Sequence, residues 1–301
     1  MRKFLIYIFI FHFFPLFLIA QEGNQAEQLS LAGYTPDGHK KWDLLADVAQ
    51  IFPGKKDITL KKPKGTLYEK GEPNLHLKAT SGTYAPDTGH VFLQEDVHLK
   101  TNEGSDLQTS DLFWDSKKSL LKMKNDIQIV KENNMISGKN MTIHKNKNRA
   151  TIEKNVTLKN FNKHANEHPS VITCSGKMEF NYDEDFVELF DNVSIVDPRL
   201  NLRADYMKIF FDRITQKLDR VLCQGNVMIN QDLKKAMGEM AEYDVSDGAV
   251  YLTGNPKVLK NNHILTAENI TFFLNKEEVL CEPSAQLVLF FSEEDRDFFN
   301  I

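Results

Sequence analysis

Residues 79–99 read Ala79-Thr80-Ser81-Gly82-Thr83-Tyr84-Ala85-Pro86-Asp87-Thr88-Gly89-His90-Val91-Phe92-Leu93-Gln94-Glu95-Asp96-Val97-His98-Leu99, and this stretch decides the fold. Val91, Leu93, Val97 and Leu99 stand two apart on either side of Asp96. Spacing of two puts such residues on one face of an extended strand. Gln94, His98 and Lys100 between them are polar, which is the alternation of a half-buried strand. Asp96 suits a turn, bend or bulge, because a short carboxylate satisfies nearby backbone groups and tolerates left-handed backbone. Ala85-Pro86-Asp87-Thr88-Gly89 supplies a second turn.

The unit recurs. Seven copies begin at the small or short residues Ala79, Thr109, Gly138, Ser175, Ala204, Gly238 and Ala267, at intervals of 30, 29, 37, 29, 34 and 29 residues. Five residues later comes a large side chain: Tyr84, Trp114, Ile143, Phe180, Ile209, Tyr243 and Phe272. Near the end of each copy sits Asp96, Asp126, Asn155, Asn192, Asn226, Asn255 or Ser284. Two apolar positions precede that residue and two follow it. Of those 28 positions 27 are apolar, Pro256 excepted, against about 11 expected at the chain's 41 % hydrophobic content. Each copy is about two strands, and a lone hairpin is marginal in water. Stacked copies bury one continuous interior instead. The expected class is all-β, an elongated array of about seven two-strand repeats, as a sandwich, jelly roll or solenoid, with an apolar inside and a charged outside.

Charge and termini narrow the partners. The 301 residues carry a net charge of −5, and no basic stripe or nucleic-acid motif stands out, so no nucleic acid is expected as partner. Arg2 and Lys3 precede an uncharged run from Phe4 to Ala20 that reads as an export signal, cleaved near Ala20 or retained as a membrane anchor. Cys174, Cys223 and Cys281 are odd in number, and two of them fall in the apolar columns, where small buried side chains are expected.

The expected organisation is a signal or anchor over 1–20, a linker over 21–30, one β-array over 31–160, a polar linker over 161–172, a second array over 173–291 and a tail over 292–301. The run Trp42 to Ala49 reads as a strand. Arg213 to Arg220 reads as a lengthened hairpin loop. No catalytic site, cofactor or metal is expected. His164 and His168 have metal-ligand spacing but lie in a polar linker. Asp183, Glu184 and Asp185 occupy a turn rather than a catalytic pair. Lys55, Lys56, Lys61, Lys62 and Lys64 read first as a solvated face and second as contacts for lipid phosphates. A GxxxxGK[ST] loop is missing from the sequence, so any ATP hydrolysis belongs to a partner.

With these residues in hand the chain resembles the periplasmic lipopolysaccharide-export proteins. Tyr34, Gly38, Trp42, Leu60, Pro63, Ala79, Gly82, Val91, Leu93, the run Asp96-Val97-His98-Leu99, Thr109 and Ile136-Ser137-Gly138 look like the LptC family. Gly238-Glu239-Met240-Ala241-Glu242-Tyr243-Asp244 and Val250-Tyr251-Leu252-Thr253-Gly254-Asn255 look like the LptA/OstA family, and residues 175–195 and 204–229 repeat that pattern more loosely. The resemblance implies a twisted β-jelly roll, or β-taco, with an apolar groove.

That groove would carry the acyl chains of lipopolysaccharide (lipid A) while the sugars stay in solvent. Its implied lining is Val91, Leu93, Val97, Leu99, Leu121, Met123, Ile127, Ile129, Ile152, Val156, Leu158, Val187, Leu189, Val193, Ile195, Val221, Val227, Ile229, Val250 and Leu252. The implied partners are an inner-membrane ABC transporter complex, an outer-membrane translocon and further copies joined head to tail by edge strands. The implied location is the periplasm, with the leader cleaved or kept as an inner-membrane anchor. Periodicity alone allows a competing outcome, a structural or adhesive β-solenoid with a closed core. An enzyme on a β-helix scaffold would need charged residues standing out at one rung, and the repeat shows none.

Overall fold

The structure, a computed structural model, describes residues 24–161, 169–198, 200–215, 217–231, 234–260, 263–273 and 278–290. The leader, His164 and His168, and the acidic tail lie outside the described residues. Within them the chain forms 23 strands and one 3₁₀ turn, Lys145–Lys147. Among the described residues all the strand pairings are antiparallel, and most join neighbours in the chain.

A typical strand serves two walls. The first part of His90–Thr101 pairs with Ser81–Ala85, and its last part pairs with Glu72–Lys78. Between the two parts the register slips at Glu95 and Asp96, which take φ of 61° and 48°. The same left-handed kink recurs at Asn155, Asn192, Asn226, Asn255 and Ser284. Asn and Asp visit that region at least cost among residues with a side chain, because their polar group bonds locally. The short polar residue of each copy is therefore the crease at which the sheet folds over on itself.

Asp126 departs from this pattern. In that copy the kink lies at Asn140 on the next strand, with φ 57°. The Asp111 carboxylate instead accepts the backbone N–H groups of Lys124 and Asn125, each at 3.0 Å.

Folding at the crease makes the two apolar faces meet. Four ladders of inward side chains run along the array. Near the crease of one wall, Leu93 opposes Leu112, and the row continues through Met141–Met123, Met178–Leu189, Met207–Cys223 and Ala241–Leu252. Near the crease of the other wall, Val97–Thr109, Val193–Ala204 and Val227–Gly238 face each other. Toward the two rims lie Val91–Trp114, Val187–Ile209 and Val250–Phe272 on one wall, and Leu99–Leu107, Ile195–Leu202 and Ala236–Val258 on the other. The small first residue of each copy sits at the crease because space is shortest there. A Cβ on Gly238 would stand 2.8 Å from the Thr253 carbonyl oxygen and 2.9 Å from Leu252.

The expected strand at Trp42 is present as Lys40–Ile51. The lengthened loop lies between Leu200–Phe211 and Leu218–Gln231, where the Asp212 carboxylate accepts the backbone N–H of Ile214 and Thr215. Pairing continues across the polar segment that follows Asn160. Arg149–Asn160 lies against both Ser170–Cys174 and Met178–Asn181, so the ladders pass from one repeat set to the next without a break.

Candidate functional site

All 20 positions implied as groove lining face inward, but they divide by depth. Fifteen are buried: Val91, Leu93, Val97, Leu99, Leu121, Met123, Ile127, Ile152, Val156, Val187, Leu189, Val193, Val227, Val250 and Leu252. Ile129, Leu158, Ile195, Val221 and Ile229 are half-buried and pack against that core. The crease ladders are closed, with Leu93, Ile152, Leu189 and Leu252 all at 0 % exposure. The walls therefore touch along the crease; at the rims Val91, Trp114, Leu99, Val187 and Val250 are buried as well, and the half-buried positions gather on one rim row between Ile129 and Ile229, with Val221 on the other.

On the strand that opens each copy, the sequence marks the small first residue and the large one five places on, but not the other inward positions. These are Leu107, Ile136, Leu202, Ala236 and Leu265 at one rim, with Leu112, Met141, Met178, Met207 and Ile270 beside the opposite crease row. The signal was available. Each of the first five stands two residues before the small residue that opens its copy.

The mouth between the rims is shut in one place. Trp42, opposite Leu67 on one wall, meets Trp114 of the other wall edge-on, with ring centroids 5.4 Å apart. Tyr84 lies 6.5 Å from the Trp42 ring on the same side as Trp114. Aromatic pairs in this geometry are worth about 0.5–1.5 kcal/mol beyond the area they bury. Beside them the Lys145 ammonium, on the turn at one rim, stands 3.8 Å from the Glu69 carboxylate at the other. Burial pulls the Lys145 pKa down, and the Glu69 charge opposes that shift.

Other candidates resolve into structural parts. Lys55, Lys56, Lys61, Lys62 and Lys64 are exposed, and Lys56 pairs with Asp87 at 3.0 Å. The Asp183–Asp185 stretch is a turn, in which the Asn181 side-chain oxygen accepts the backbone N–H of Asp183 and Glu184. Cys174, Cys223 and Cys281 are free thiols. Burial pushes the Cys223 thiol up to about 12. Among the described residues no group of three His, Cys, Asp or Glu is placed to hold a metal. Outside the apolar interior the wall surface mixes polar pairs, such as Tyr206 donating to Glu188 at 2.6 Å and Arg220 to Glu242 at 3.1 Å, with aromatic ones such as Phe92–Phe113.

Two family models match the chain. Residues 22–160 match the family described as lipopolysaccharide-assembly, LptC-related. Residues 173–278 match the family described as LptA/(LptD N-terminal domain) LPS transport protein. Among curated proteins nothing matches this chain. A solved structure, LptH, the LptA homologous periplasmic component of the lipopolysaccharide transport device from Pseudomonas aeruginosa, is 16 % identical. That match covers 41 % of this chain and 96 % of the other, with a TM-score of 0.37. The two family matches fall on the two runs of repeats and leave between them only the polar segment that follows Asn160. The chain is thus a periplasmic lipopolysaccharide-transport protein, an LptC-like N-terminal half followed by an LptA/OstA-like C-terminal half.

Proposed function

We propose that the acyl chains travel between the two walls along the rim ladders, with the sugar headgroup left outside the mouth. The observation that carries this reading is the gradient of depth. The crease rows are a sealed core, whereas Ile129, Leu158, Ile195, Val221 and Ile229 are inward, apolar and half-buried. Exposing an acyl chain to water costs about 0.8 kcal/mol per CH₂, so a crossing needs an apolar row without gaps. The rim rows supply one through both halves. A chain lying there needs the walls to part only at the rims, and the crease keeps the fold intact.

The ends suit strand addition. Among the described residues Asn24–Tyr34 pairs on one side only, with Lys40–Ile51. At the other end, Val279–Glu282 and Gln286–Val288 each pair on one side, and Leu280, Leu287 and Val288 are exposed. Open edges template pairing with another chain. We assign the first edge to an inner-membrane ABC transporter complex. The second is assigned to a further copy or to the outer-membrane translocon. The leader exports the chain and is cleaved or kept as an anchor.

A photo-crosslinking residue tests the path in living cells. Placed at Ile195 or Ile229, it captures lipopolysaccharide; placed at exposed Lys124, it does not. Capture at Lys124 but at neither rim position would favour the closed solenoid, for which the sealed crease rows are the best argument.

A further inference from the structure

The shut part of the mouth encloses a cavity of about 240 Å³. Trp42 and Leu67 line it from one rim, and Trp114 and Leu121 from the other. Its polar lining holds two cations, Lys41 and Lys145, one carboxylate, Glu69, and the side chains of Ser116, Ser119, Asn146 and Asn148. The space thus has apolar walls beside a polar part with one more positive than negative charge. Such a division matches an amphiphile with an anionic end, and neither a sugar nor a peptide strand.

Lys145 is the better placed of the two cations. Its side chain is only 26 % exposed, and it faces a single carboxylate, Glu69, at 3.8 Å, which is too long for a direct hydrogen bond. Glu69 also accepts from Asn74 at its own rim. An anion of higher charge entering from solvent can therefore take Lys145 from Glu69, leave Glu69 with Asn74, and so unfasten the rims. The tryptophan pair beneath has no covalent or hydrogen-bonded tie that would oppose the parting.

We propose that this cavity is a seat for the phosphorylated end of an acylated lipid, with one acyl chain slipped between Trp42 and Trp114 and the phosphate held by Lys145. The proposal rests on the reading of the rims as a lipid path and adds to it a fixed station for the headgroup. The ammonium contributes charge-assisted hydrogen bonds to phosphate oxygens, roughly twice as strong as neutral ones. Displacement of Glu69 makes loading and opening one event. The seat lies in the LptC-like half, where lipid would arrive first.

The chain has two tryptophans, and both stand in this cavity. The test uses the purified full chain with lipid A whose acyl chains are brominated, in bisphosphorylated and dephosphorylated forms. Bromine quenches indole emission on contact, and co-elution on gel filtration reports total binding. The seat predicts saturable quenching by the bisphosphorylated probe. Lys145→Gln weakens it about tenfold and leaves the dephosphorylated probe unchanged, whereas Lys145→Arg restores it.

Co-elution without quenching overturns the seat and leaves the transport reading standing. Failure of both probes to co-elute overturns both. Equal affinity of the Lys145→Gln variant and the native chain for the two probes removes the phosphate assignment. If inorganic phosphate alone produces the Lys145-dependent emission change, the site binds a bare anion and the lipid seat falls.

Discussion

The first copy and the later ones share one repeat but differ at the mouth. At the N-terminal end Leu77, Leu99 and Leu107 of the rim row are buried to 6 % or less, and Trp42 closes on Trp114. Farther along, Ile129, Leu158, Ile195, Leu202 and Ile229 of the same row are half-buried, Ala236 and Val258 are buried again, and Leu287 at the far end is 60 % exposed. The crease rows do not differ between halves. One sheet thus carries a shut segment and an open one on the same foundation. The difference comes from added parts. The strands Asn24–Tyr34 and Lys40–Ile51 lie ahead of the first copy, and they bring Leu29, Leu31 and Trp42 against the rim. Nothing equivalent follows the last copy among the described residues.

The comparison can be broken most directly at the tryptophans. Trp114→Ala removes a side chain that is 1 % exposed, and chemical denaturation should show a loss of about 3–5 kcal/mol. Val221→Ala at the matching rim of the open segment should cost only about 1 kcal/mol, because less apolar area leaves the interior there. Equal losses would mean that the two segments are closed to the same degree.

The shared crease supplies a smaller effect. Gly238→Ala forces a Cβ toward the Thr253 carbonyl, a backbone atom that cannot rotate away. Denaturation should show a loss of about 1–3 kcal/mol. An unchanged midpoint would mean that the crease has slack and that the small first residue of each copy serves another purpose.

The smallest effect concerns reactivity along the C-terminal half. Cys223 is buried, and its thiol is pushed up to about 12 from 9.0. Cys281, near the open end, is half-buried. At pH 8 a thiol reagent should therefore label Cys281 first and reach Cys223 only on unfolding. Stability gained from the raised Cys223 pKa is whole below pH 9 and fades as pH climbs toward 12, since the unfolded chain loses that proton first. Cys223→Ala should flatten that part of the pH profile, with a denaturation series as the readout.

Much of this was legible in advance. Alternation around Asp96 and its counterparts places the inward columns, and the short polar residue between the apolar pairs marks the bend that the left-handed backbone makes. The strand that opens each copy is only partly legible, through its small first residue and the large one five places on, although Leu107 before Thr109 and Ile136 before Gly138 carry the same spacing of two. Copy two also resisted, because there the Asp111 carboxylate holds the crease in place of a kink at Asp126. A carboxylate on the preceding strand leaves no trace in the periodicity of its own.

Sequence by itself determined the strands, their inward faces and the place of each fold, because a period of two and a short polar residue act within a few bonds of each other. Depth was decided by the tertiary structure alone. Whether an inward Leu is sealed or half-open depends on what the opposite wall brings to it. Trp42 and Trp114 are 72 residues apart in the chain, so their meeting is set by sheet register and by the angle of the crease. Local pattern fixes direction, and long-range pairing fixes distance.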